Sequence, residues 1–220
     1  MRRGQAVAAS IPAAQFFVRQ GGASSFVFEH ARPAIDAIRS FLGDADDRET
    51  APTDVVRGVR TVLFTDIVGH TEMMQRLGDT KGRDLLREHE RITRDLLKTH
   101  GGTEVKTMGD GFMASFGSVT SAIECAIALQ RAFAGHEGEP LQVRVGLNAG
   151  EPIEEDGDLF GSTVIMASRI ASKAGAGEIL IPEPLRHLLT GKSYVYADRG
   201  ETMLKGFEDA VRLYEVQWRE

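Results

Sequence analysis

The chain of 220 residues holds a single cysteine and a single tryptophan. One cysteine excludes an intrachain disulfide and a zinc cluster, and points to a reducing compartment, expected here to be the cytoplasm. That residue, Cys125, lies in the apolar run SAIECAIAL, where a thiol packs as a small hydrophobe rather than serving as a nucleophile. Basic charge is in deficit: 26 Lys and Arg stand against 32 Asp and Glu, a net −6, which argues against a nucleic-acid partner gripped by a broad basic surface. No apolar run has the length of a membrane-spanning helix. After Met1-Arg2-Arg3 the stretch AVAASIPAA is short and broken by Ser10 and Pro12, so a secretory leader is not expected. No internal repeat is present.

What is there suffices for one full domain and a smaller piece. Residues 1–42 are too few to bury a core of their own. They carry one periodic run, Pro33 to Leu42, with Ile35, Ile38 and Leu42 on one stripe, and are expected either to pack on the main domain or to be the stub of something larger upstream. Gly43 to Asp54 is acidic, contains Pro52 and lacks periodicity, so a linker is expected over 43–58 and one domain over 59–220.

Within that domain, Val62-Leu63-Phe64 predicts a strand buried on both faces, and Thr71-Glu72-Met73-Met74 a helix start. Lys81 to His100 predicts a long amphipathic helix whose His89 lies on the apolar side as a packed residue. Thr103 to Thr107 and Phe112 to Phe116 predict strands joined by a tight turn over Met108-Gly109-Asp110-Gly111. Ser118 is placed to cap the next helix. LQVRVGL (141–147) alternates as a half-buried strand, and helix Ser162 to Lys173, strand Glu178 to Ile181, a short helix near Pro184 to Leu189 and strand-like segments to Trp218 complete the chain. This order predicts an α+β sandwich with helices covering one face of a largely antiparallel sheet.

Two aspartates draw notice. Asp66 ends the first strand just before Gly69 and a helix start, where a carboxylate can hold a divalent cation and free helix amides can face an anion. By itself it could equally end the strand or help to cap the helix. Asp110 alone is an ordinary turn aspartate. If the first strand neighbours the hairpin, however, both carboxylates meet at one sheet end and repel unless a cation lies between them, and Mg²⁺ or Mn²⁺ suits such hard oxygen ligands.

FTDIVG, then KTMGDGFMASF, then DLFGSTVIMASR together resemble the catalytic domain of class III adenylate and guanylate cyclases, from about Arg60 to Trp218. The resemblance implies a ferredoxin-like (βαββαβ-type) core, the nucleotide cyclase fold, working as a head-to-tail homodimer. It implies two metal ions per site, Mg²⁺ or Mn²⁺, held by Asp66, Asp110 and the Ile67 carbonyl, with the backbone at Gly69, His70 and Thr71 facing the phosphates. Lys106 and Asp158 correspond to base-reading residues. Adenine presents an N1 acceptor and an N6 donor that match an ammonium and a carboxylate, so the pair favours ATP over GTP. Arg169 corresponds to the arginine that stabilises the transition state, and Lys205, in ETMLKGF, to the lysine gripping the distal phosphates. The metal ligands come from one protomer and Lys106, Asp158 and Arg169 from the other.

One position departs from the family pattern: Ile165 stands where a ribose-orienting asparagine is common, four residues before Arg169. Losing a positioned polar group costs on the order of 10²-fold in rate, so the expectation is a slow adenylate cyclase, or one whose ribose is oriented by another residue or by water. The alternative is a nucleotide-binding or dimerisation module of the same fold without turnover. A diguanylate cyclase would need a GGDEF-like segment and a P-loop enzyme a Walker lysine, and the chain has neither.

Overall fold

The computed structural model describes residues 58–136 and 139–219. The chain divides between Thr53 and Asp54, and all described residues belong to the second unit. The expected helix at 33–42 and the linker expected over 43–58, apart from Gly58, lie outside them.

Strand β1 (Arg60–Ile67) is central because almost nothing in it tolerates water: Val62 and Leu63 are fully buried. Helix α1 (His70–Thr99) follows, then β2 (Thr103–Met108), β3 (Gly111–Phe116), α2 (Val119–Ala134) and β4 (Val143–Gly150). The short strands β5 (Ile153–Glu155) and β6 (Asp158–Phe160) form a separate hairpin before α3 (Ser162–Ala171). The chain ends with β7 (Ile179–Pro182), α4 (Glu183–Leu188), β8 (Val195–Thr202) and β9 (Val211–Gln217). The seven-stranded sheet runs β2-β3-β1-β4-β7-β9-β8, with β4 and β7 parallel and every other pair antiparallel.

Alternation along β1 sorts the core. Leu63 and Ile67 join Phe112, Phe116 and the apolar stripes of α1, α2 and α4, whereas Val62 and Phe64 meet Met113, Leu159 and Ala167 on the other face. The helices therefore do not all cover one face, as the element order suggests: α3 packs alone opposite the other three. This also corrects the reading of β4 as half-buried. Val143, Val145 and Leu147 face the larger core, and the small Gly146 lets α3 press on the opposite side.

Helix α1 begins at His70, one residue earlier than predicted, and the amphipathic run is its continuation. The two pieces are joined across a kink at Gly78 (φ 73°, ψ 168°), a conformation that only glycine adopts readily. The Ser118 cap is present, its hydroxyl accepting from the Ser121 amide. His89 is packed as expected, stacked on Phe133 with ring centroids 5.0 Å apart. Cys125 is buried, and desolvation pushes its thiol up to about 12. No helix among the described residues is long and apolar enough to cross a membrane.

Candidate active site

Strand register delivers the two aspartates to one place. Thr65 opposes Phe112, and β2 and β3 close at Met108 and Gly111, so the turn holding Asp110 lies beside the end of β1. The approach is close enough to demand glycine: a Cβ at Gly111 would come 2.5 Å from the Thr65 carbonyl and 3.4 Å from Asp66 Oδ1. Burial, and then the Asp66 charge, raise the Asp110 pKa above the ordinary carboxylate range.

A cation already answers this negative charge. Arg144 opposes Asp66 across β1 and β4, and its Nε donates to Asp66 Oδ2 at 3.0 Å, joined by Nη2 on the same oxygen. Sequence reading missed Arg144. The only signal was an arginine at a polar position of an alternating strand, and its meaning depends on a partner 78 residues away. The donor chemistry fits a divalent ion: two carboxylates at one sheet end, one held by a guanidinium, with the Ile67 backbone adjacent. Among the described residues no three His, Cys, Asp or Glu side chains already form a coordinating cluster, so further ligands would come from backbone or substrate oxygens.

The neighbouring helix terminus is open toward this end. Gly69 caps α1 in the left-handed conformation (φ 69°, ψ 28°) without any side-chain hydrogen bond to the first turn. His70 and Thr71 follow, and His70 Nδ1 lies 3.5 Å from Asp110 Oδ2.

Lys106 and Asp158 are brought together, Nζ donating to Oδ2 at 2.5 Å with Lys106 also over the Phe160 ring. The Lys106 hydrogen bond, then the Leu159 amide, lower the Asp158 pKa. Asp158 opens β6, which an Asp156-Gly157 turn joins to β5, both turn residues having positive φ.

Arg169 and Lys205 form a third group, the arginine Nε donating to the Lys205 carbonyl at 3.3 Å. Helix α3 is pressed onto β4: a Cβ at Gly146 would lie 2.1 Å from the Ala171 nitrogen, and the buried Asn148 amide donates to the Thr163 carbonyl at 3.2 Å. Its two sides open into different clefts. Ser168 and Ala171 line one with Asp66, Gly111 and Arg144, whereas Arg169 lines another with Lys173, Met203 and Lys205. Ile165 is 47% exposed. A larger concavity among the described residues lies elsewhere, between α2 and the β8–β9 edge, and contains none of these groups, so size does not locate the chemistry.

Residues 56–217 match the family described as Adenylate and Guanylate cyclase catalytic domain. A putative adenylate cyclase 3 of Rhizobium meliloti is 31% identical over 170 residues, 74% of this chain and 29% of the relative. The adenylyl cyclase CyaB of P. aeruginosa superposes with a TM-score of 0.65 at 29% identity, covering 72% of this chain and 93% of that one. The guanylate cyclase domain of RhGC from Catenaria anguillulae, solved with GTP, gives 0.66 at 25% identity, covering 74% and 98%. The chain spans between 12% and 40% of the length of the first curated relatives it matches.

Proposed function

The chain belongs to the family of adenylate and guanylate cyclase catalytic domains, and on that premise we propose that it converts ATP to 3′,5′-cyclic AMP and pyrophosphate. Supporting this most directly is the split arrangement of α3. Within one chain Asp66 and Arg169 line different clefts that meet at Ser172, an arrangement that supports a site completed by a second copy in head-to-tail contact.

In that arrangement Asp66, Asp110 and the Ile67 carbonyl hold divalent cations, Mg²⁺ or Mn²⁺, which when bound acidify the ribose 3′-hydroxyl and offset triphosphate charge. The amides at Gly69, His70 and Thr71 face phosphate oxygens, and Arg144, bonded to Asp66 in the free chain, exchanges that contact for one with the polyphosphate. From the other chain, Lys106 donates to adenine N1 and Asp158 accepts from the N6 amino group. The 3′-oxygen forms its bond to the α-phosphorus as the bond to the bridging oxygen breaks. The hydroxyl proton passes to water, and pyrophosphate leaves with the electron pair. Arg169 meets the charge developing on the α-phosphate, and Lys205 the distal phosphates.

Ile165 contributes no hydrogen bond to the ribose, so turnover is slow. Replacing it with asparagine is expected to raise kcat by up to about 10²-fold. The same exposed isoleucine favours a second reading, a nucleotide-binding or dimerisation module without turnover.

Incubation with Mn²⁺ and either ATP or GTP, beside an Asp66→Ala control, separates these readings. Cyclic AMP that vanishes in the control is the expected result. Cyclic GMP as the main product overturns the roles given to Lys106 and Asp158, and no product at high protein concentration leaves the module.

A further inference from the structure

Two features of the His70 side chain stand apart from the role of its backbone. Nδ1 faces Asp110 Oδ2 at 3.5 Å, and Nε2 is sealed from solvent without a hydrogen-bond partner. The spacing to Asp110 is long for a hydrogen bond, whose usual range is about 2.7–3.2 Å. It is close to the separation of two donors on a shared ion: a nitrogen and an oxygen, each about 2.1 Å from one metal and 90–110° apart, lie roughly 3.0–3.4 Å from each other. The His70 backbone is fixed at the start of α1, directly after the left-handed Gly69. Asp66 is engaged by Arg144, which leaves Asp110 as the carboxylate that His70 can join.

We propose that His70 supplies a nitrogen ligand to the divalent cation at Asp110 and so shifts the site's preference from Mg²⁺ toward Co²⁺ and Zn²⁺. Imidazole suits these borderline ions, whereas Mg²⁺ takes oxygen and gains little from a ring nitrogen. The inference rests on the reading of Asp66 and Asp110 as the metal-holding pair.

The test titrates the whole purified chain with Co²⁺ alone, followed by visible absorption, and then with Mg²⁺ in competition. Wild type is compared with His70→Phe, His70→Gln and Asp110→Ala. Both His70 variants are expected to lose about 10- to 100-fold in Co²⁺ affinity with a shifted absorption band, while Mg²⁺ affinity moves by less than about twofold. Unchanged Co²⁺ affinity and spectrum in both His70 variants overturn the proposal and leave the metal-holding pair standing. Co²⁺ binding that survives Asp110→Ala intact overturns that pair, and the proposal with it.

Discussion

His89 shows what a single buried side chain costs. Its ring lies between Phe112 and Phe133, both nitrogens lack partners, and burial lowers its pKa to about 4. In the unfolded chain the ring titrates near the ordinary 6.5, so as pH falls through that value the unfolded state takes up a proton that the folded state refuses. Stability is therefore lost between pH 6.5 and about 4, reaching about 3 kcal/mol for this group. His89→Leu is expected to flatten the dependence of melting temperature on pH across that window. An unaltered slope would show that the folded imidazole titrates normally.

The seat of α3 on β4 sets the geometry of Arg169 at the scale of elements. Gly146→Ala would drive a methyl into the backbone of Ala171, forcing the helix off the sheet. The expected loss is roughly 1–3 kcal/mol in urea unfolding, with a fall in activity as Arg169 moves. A variant of unchanged stability would mean the helix can yield freely. Such element-level facts divide what the sequence shows from what it hides. Periodicity located β1, both strands of the hairpin and the Ser118 cap because their signals are local. The placement of α3 opposite the other helices was hidden, since Val164, Ala167 and Ala171 make an apolar face that would suit either side of the sheet. Arg144 was hidden for a related reason: only the register of β1 against β4 sets it opposite Asp66. The hairpin before α3 was missed, because its three-residue strands are too short for alternation to register, although Asp156-Gly157 is a turn signal.

At the scale of the whole molecule, the proposed two-chain site predicts complementation. Asp66→Ala and Arg169→Ala should each be inactive alone, and mixing them should restore about a quarter of wild-type activity, since half of randomly paired dimers carry one intact site of two. Restoration is measured as cyclic AMP formed after mixing, and no recovery would place the whole site within one chain. Dilution should lower activity per chain for the same reason. The β2–β3 hairpin adds something more. Lys106 and Asp110 are four positions apart on this one ribbon, yet in the proposed paired arrangement they would serve different nucleotides. If base capture pulls on the strand at one site, the carboxylate at the other shifts with it, and the two sites would then be thermodynamically linked. Rate against ATP concentration should then depart from a hyperbola, making a pair of identical sites into a cooperative sensor of nucleotide level.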